Sequence, residues 1–85
     1  MSNKIFSQRF NRELALLGFP DEMNRRIDAV AKVFNVNRHL ANSMLFGNKI
    51  PPEEQLKRIA EILEVCPQWL DGSINRKKPY SEKES

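Results

Sequence analysis

Apolar residues recur at the spacing of an α-helix along most of this chain, and no segment of useful length alternates between apolar and polar residues as a strand would. The first such stretch predicts a helix over residues 4–17. Its apolar stripe consists of Phe6, Phe10, Leu14 and Leu17. A second helix is predicted over residues 22–34, with Asp21 as its N-cap because Asp accepts backbone N–H bonds well at that position.

The remaining predicted helices are shorter. Helix three is predicted over residues 38–46 with Asn37 as its N-cap, and helix four is predicted to begin at Pro52 or Glu53. A short fifth helix is predicted over residues 67–70. The pattern therefore predicts an all-α protein in which five short helices surround one core.

The segment 27–46 has the spacing of a helix-turn-helix, in which two helices meet at a tight corner. The corner falls at Asn35, where we expect a positive φ, and Asn tolerates that conformation better than most residues. Crowding at the corner favours a small side chain at Ala31. We expect Gly47 to end the second helix of the pair. Three side chains should point back at the first helix: Val36, Ala41 and Met44.

The length of the chain and the distribution of its charge indicate the domain organisation and the kind of surface that the helix-turn-helix presents. We interpret residues 1–72 as one domain and residues 73–85 as a mobile polar tail with little to bury. Residues 1–50 carry eight basic and four acidic side chains, whereas residues 51–72 carry two basic and five acidic ones. The positive charge therefore accompanies the helix-turn-helix, which favours a surface that faces phosphates.

Several classes of function are not expected. The single cysteine, Cys66, excludes an internal disulfide and a cysteine-built zinc site. No apolar run has the length of a membrane span and the N-terminus lacks a signal peptide, so we expect a cytoplasmic protein. We find no glycine-rich phosphate loop and no nucleophile with a base, and we therefore expect neither an enzyme nor a cofactor.

At this level of detail the chain resembles the lambda-repressor-like, or Cro/XRE, DNA-binding domains over roughly residues 5–72. VAKVFNVNRHLANSMLFGNKIP resembles the second and third helices of that family and its Gly-x-x-x-Pro loop, here Gly47 to Pro51. LKRIAEILEV resembles the fourth helix, and WLDG, residues 69–72, resembles an ending common in prophage repressors. The resemblance implies a lambda-repressor-like fold with the helix-turn-helix at about residues 22–46.

The chain departs from the family pattern at three places. Asn35 replaces the frequent corner glycine, and Leu45 stands where many members have Glu. Many members begin the second helix with Thr-Gln, whose glutamine holds a phosphate, whereas this chain has Asn24, Arg25 and Arg26 in that region. A phosphate contact near the start of helix two is therefore expected, but its identity differs from the family pattern.

The candidate base-contacting residues lie on helix three. If Ala41 and Met44 face the core, the advance of about 100° per residue places other side chains on the opposite face. Asn can bond an adenine edge and Arg a guanine edge in the major groove. The resemblance implies the same positions, because members of the family contact bases from the start and middle of this helix. The candidates are Asn37, Arg38, His39, Asn42 and Ser43. Phe46 also falls on that face and either contacts a thymine methyl group or tucks against the loop.

Phosphate contacts would fix the register of the protein on DNA. The candidates are Arg25 and Arg26 near the start of helix two, and Asn48 and Lys49 after helix three. The backbone N–H groups at the start of helix two could bind a phosphate as well.

The expected function is that of a sequence-specific transcriptional regulator, a small repressor of phage or plasmid type. Such domains bind double-stranded DNA, here a palindromic operator, as homodimers. Trp69, Leu70 and Ile74 are the apolar candidates for the dimer contact, although Trp69 could instead close the core. The alternative is a protein-binding module, an antitoxin or adaptor, for which Leu40, Leu45 and Phe46 would supply apolar surface.

Overall fold

The computed structural model describes residues 3–75 and contains five α-helices and no strand in that range. The all-α prediction is confirmed, and the predicted helix ends agree with the structure to within one residue. The part of the predicted tail from residue 76 onward lies outside the described residues. The helices are α1 (Asn3–Leu16), α2 (Met23–Val33), α3 (Arg38–Leu45), α4 (Glu53–Leu63) and α5 (Pro67–Leu70).

The corner between α2 and α3 has the predicted conformation. Asn35 has a φ of 56°, and the N–H of Val36 donates to the carbonyl oxygen of Ala31 at 3.1 Å. This bond is the six-residue closure of a Schellman turn, with Asn35 in the left-handed position that glycine usually takes. Ala41 and Met44 are fully buried. The two helices therefore pack closely at this corner, and Ala31 is half-buried against the core.

Gly47 ends α3 as predicted, and its backbone conformation favours glycine. Its φ is 77°, and the N–H of Asn48 donates to the carbonyl oxygen of Ser43 at 2.9 Å. A Cβ at Gly47 would lie 3.4 Å from the Cβ of Ser7 on α1. That distance is an ordinary contact, so glycine is favoured here by the left-handed turn and not by lack of space.

Aromatic rings connect α1 and α2 through the core. The rings of Phe6 and Phe10 stack with centroids 5.3 Å apart, and Phe10 lies 5.7 Å from Phe34. Phe34 also stacks on Phe19 at 6.1 Å. Such pairs add about 0.5–1.5 kcal/mol each beyond the burial of their area.

The prediction that Leu17 belongs to the core stripe is wrong, since this side chain is exposed. The helix ends one residue earlier, and Gly18 adopts a φ of 86°. That turn brings the N–H of Phe19 to the carbonyl oxygen of Leu14 at 3.0 Å. Phe19 therefore packs against the core after the end of the helix, and Leu17 remains outside.

A partly buried polar network joins the first three helices. Asn11 on α1 donates through Nδ2 to the carbonyl oxygen of Leu45 at the end of α3, at 3.1 Å. The hydroxyl of Ser7 donates to the same carbonyl oxygen at 2.8 Å. Arg26 on α2 donates through Nη1 to Oδ1 of Asn11 at 3.1 Å. The network holds the C-terminal end of α3 against α1 and links both to α2.

Within residues 3–75, no helix combines the length and the apolar character that a membrane span requires.

Candidate nucleic-acid interface

The exposed side of α3 and its C-cap is narrow and carries four side chains. Arg38, His39 and Phe46 are exposed, and Asn42 is half-buried. At about 100° per residue these four positions fall within an arc of about 100°. The other positions of α3 are buried, namely Leu40, Ala41, Ser43, Met44 and Leu45. This arc, which we call the α3 face, carries one guanidinium, one imidazole, one amide and one aromatic ring.

Ser43 is a predicted base contact that the structure places elsewhere. It is 9% exposed and so belongs to the buried part of α3. The prediction assumed that only Ala41 and Met44 marked the buried side, whereas burial extends around the helix to Ser43. We therefore leave Ser43 out of the proposed contact set.

Asn37 serves as the predicted N-cap of α3. Its Oδ1 accepts the N–H of Leu40 at 2.7 Å, and its backbone φ and ψ of −74° and 162° are extended. This oxygen therefore already accepts a hydrogen bond from the helix backbone. The exposed amide Nδ2 keeps two hydrogens that can donate to a base or a phosphate.

Arg38 lies at the start of the α3 face and forms an ion pair with Asp28 on α2. Its Nε lies 2.8 Å from Oδ1 of Asp28, and both side chains are more than half exposed. Exposed ion pairs contribute about 0–1 kcal/mol. Exchanging Asp28 for a base edge or a phosphate would therefore cost little.

The two adjacent arginines of α2 have different environments. Arg26 is 7% exposed and donates to the carbonyl oxygen of Pro20 at 2.7 Å, to Asn11, and to Asp21 at 3.4 Å. Each of its three guanidinium nitrogens has a partner within the chain and the side chain is buried, so we leave Arg26 out of the proposed phosphate contacts. Arg25 is exposed and forms no ion pair with any residue in the described range. Arg25 therefore keeps its guanidinium available to a phosphate.

Glu22, and not the predicted Asp21, is the N-cap of α2. Its carboxylate oxygens accept the N–H groups of Asn24 at 3.1 Å and Arg25 at 3.0 Å. Asp21 turns instead toward Arg26. The backbone N–H groups at the start of α2, which could have bound a phosphate, thus already donate to a carboxylate of the chain itself. The negative charge of that carboxylate would also repel a phosphate.

The loop after α3 presents the other two predicted phosphate contacts. Asn48 and Lys49 are both exposed, and Asn3 on α1 donates to the carbonyl oxygen of Asn48 at 3.2 Å. The side chains of Asn48 and Lys49 therefore extend from a loop whose backbone is tied to α1. Both are available to a phosphate.

Trp69 and Leu70 are buried within the chain. Leu70 is fully buried, and the guanidinium carbon of Arg9 lies 4.9 Å from the ring centroid of Trp69. Arg9 also donates to the carbonyl oxygens of Trp69 and Ile74. The alternative that Trp69 closes the core agrees with this geometry. Of the three predicted dimer residues, Ile74 alone keeps more than a small exposed area.

The sequence interpretation missed several residues that organise this site, chiefly Ser7, Asn11 and Glu22. One signal was present for Arg26, because it precedes the buried Val30 by four residues and therefore shares its helix face. Of its three hydrogen-bond partners, Pro20 and Asp21 lie within six residues, but Asn11 lies 15 residues away on α1. No local pattern in the sequence identifies such a partner.

In the described part of the chain, the side chains that most often bind metal ions are not grouped, and the single cysteine is buried. No group of three or more His, Cys, Asp or Glu residues there is arranged to hold a metal ion. Cys66 is buried, and its thiol donates to Oε1 of Gln68 at 2.9 Å.

Comparisons of this chain with protein-family models, with curated proteins and with solved structures found no match.

Proposed function

We propose that this protein is a sequence-specific DNA-binding regulator, a small repressor of the lambda-repressor-like kind, with α3 in the major groove. The observation that carries the proposal is the α3 face. Its guanidinium, imidazole and amide can bond base edges, and its single aromatic ring can meet a thymine methyl group. The face follows directly after the corner at Asn35, as expected of the second helix in a helix-turn-helix.

Exposed charge within the helix-turn-helix and the loop after it supports the proposal. Arg25 and Lys49 are exposed and form no ion pair within residues 3–75, and Asn48 stands beside Lys49. We propose Arg25, Asn48 and Lys49 as phosphate contacts, with Arg38 and Asn42 as the leading base contacts and Asn37 and His39 beside them. Phosphate contacts of this kind make affinity depend steeply on salt concentration.

A dimer on DNA completes the proposal. A single helix of eight residues covers few base pairs, and pairing two such helices on a palindromic site increases specificity. Ile74 is the one proposed dimer residue with surface left for that contact. A regulator of phage or plasmid type would act in the cytoplasm, which is accordingly the proposed compartment.

The second candidate function is a protein-binding module, and one observation favours it. Phe46 is 55% exposed on the α3 face, where a protein partner could cover it. The other two apolar residues that suggested this alternative, Leu40 and Leu45, are buried and contribute no such surface. The polar groups beside Phe46 fit DNA better than an apolar partner surface.

Selection of bound sequences from a pool of random duplex DNA tests the proposal. We expect enrichment of a palindromic motif, two protein copies per enriched duplex, and affinity that falls steeply between low and physiological salt. A pool that remains random after repeated rounds, together with affinity that hardly changes with salt, would reject DNA binding and favour the protein-binding module.

A further inference from the structure

Phe46 is the apolar member of the α3 face. The residue is the C-cap of α3, and its φ and ψ of −95° and 3° keep it close to helical geometry. Its side chain therefore continues the row that Arg38 and Asn42 form at intervals of four residues. Phe46 is 55% exposed, so more than half of its surface is accessible to a partner. Of the two roles considered for Phe46 in the sequence, this exposure favours contact with a thymine methyl group over packing against the loop.

We propose that Phe46 selects thymine by contacting its C5-methyl group, beside the base that Asn42 bonds. This inference rests on the proposed DNA-binding function and names a base within it. In the major groove, hydrogen-bonding groups cover most of each base edge, and thymine is the base that presents a methyl group there. A phenyl ring without polar atoms can be desolvated favourably against that methyl group and against no other base edge.

Helix geometry allows the two contacts to occur together. Four residues of α-helix rise about 6 Å, which is close to two base steps of about 3.4 Å each. Asn42 and Phe46 can therefore reach bases one or two steps apart in the same groove. The combination favours an A·T-rich half-site, with an adenine edge at Asn42 and a thymine methyl group at Phe46.

The expected effect is modest and measurable. Burial of one methyl group changes affinity about three- to fourfold. Replacing deoxythymidine by deoxyuridine removes that methyl group and leaves the hydrogen-bonding edge intact. The exchange therefore isolates the contact that we propose for Phe46.

The test titrates the protein against its enriched duplex with deoxyuridine placed at one thymine position at a time, symmetrically in both half-sites. We expect the unmodified chain to bind about three- to fourfold more weakly at one position, and the variant Phe46→Ala to show no loss at that position. Ile62→Ala is the matched control, because Ile62 is an exposed apolar residue on α4, 43% exposed. That control should keep the full sensitivity to deoxyuridine.

Two outcomes overturn the inference and leave DNA binding standing: equal affinity for every deoxyuridine duplex, or the same loss at the same position in Phe46→Ala. Absence of any duplex binding would overturn the proposed function together with the inference. Circular dichroism of Phe46→Ala should show unchanged helix content, since the ring is exposed, and this establishes that lost sensitivity does not reflect unfolding.

Discussion

Arg26 on α2 donates to the side-chain oxygen of Asn11 on α1 at 3.1 Å, and the same amide of Asn11 donates to the carbonyl oxygen of Leu45 at the end of α3. One side chain thus links the three helices that form the candidate DNA-binding region. No polar side-chain atom buried within the described residues lacks a hydrogen-bond partner. The position of the α3 face consequently depends on a satisfied polar network as well as on apolar packing.

The adjacent pair Arg25 and Arg26 should separate binding from stability. Arg26→Ala removes three side-chain hydrogen bonds and leaves Asn11 without its donor, so we expect a loss of about 2–4 kcal/mol in the free energy of unfolding. Arg25→Ala removes an exposed side chain and should change stability by less than about 0.5 kcal/mol. Urea denaturation measures both values.

Titration with duplex DNA measures the effect of the Arg25 substitution on binding. Arg25→Ala should weaken binding to all sequences and lower the salt slope by about one, because one phosphate contact is lost. If Arg25→Ala and Arg26→Ala destabilised the fold equally, the distinction between the two environments would be refuted.

The corner at Asn35 should tolerate glycine and reject a branched residue. Asn35 is exposed and has a φ of 56°, so Asn35→Gly should leave stability within about 0.5 kcal/mol of the original chain. Asn35→Val forces a β-branched residue into left-handed geometry, and we expect a loss of about 1–2 kcal/mol. Thermal and urea denaturation report the difference.

A matched control for this corner is Asn48→Val. Asn48 is likewise an exposed asparagine outside the helices, but it does not have a positive φ. The Asn48→Val variant should therefore lose little free energy of unfolding. Equal losses in the two valine variants would show that removal of asparagine, and not the left-handed backbone, is responsible.

Removing the charge at the start of α2 should strengthen DNA binding. Glu22→Gln keeps an oxygen that can accept the N–H groups of Asn24 and Arg25, and it removes a negative charge from the helix start. We expect duplex affinity at low salt to rise about two- to fivefold. The helix should lose about 0.3–1 kcal/mol of charge–dipole stabilisation.

Glu61→Gln makes the same change of charge at an exposed position on α4 and serves as the control. An equal gain in affinity for both variants would attribute the effect to net charge. That result would contradict a role for the α2 start near a phosphate.

Local signals predicted the helices well. The stripe that includes Phe6 and Phe10, the cap at Asn37 and the turn at Gly47 each act within one or two helical turns, and the structure has all of them. The one error in the core stripe, Leu17, arose because the turn at Gly18 returns Phe19 to the core. That outcome depends on tertiary packing against Phe34.

The candidate site was less predictable for the same reason. Arg25 and Arg26 are neighbours in sequence with identical chemistry, and hydrogen bonds to Pro20 and to the distant Asn11 make only Arg26 internal. Ser43 and Asn42 are likewise adjacent polar residues, yet Ser43 is buried and Asn42 keeps exposed area. Packing between helices decides which polar residue faces solvent. The helical period alone does not specify that packing.

The most direct test of the proposed DNA-binding face compares Asn42→Ala with Lys49→Ala on preferred and scrambled duplexes at several salt concentrations. Asn42→Ala should cost about 1–3 kcal/mol on the preferred duplex, relax the preference at one base position and hardly affect the scrambled one. Lys49→Ala should weaken both duplexes equally and reduce the salt slope by about one. An Asn42→Ala variant that kept the full preference for the original duplex would contradict base contact by the α3 face.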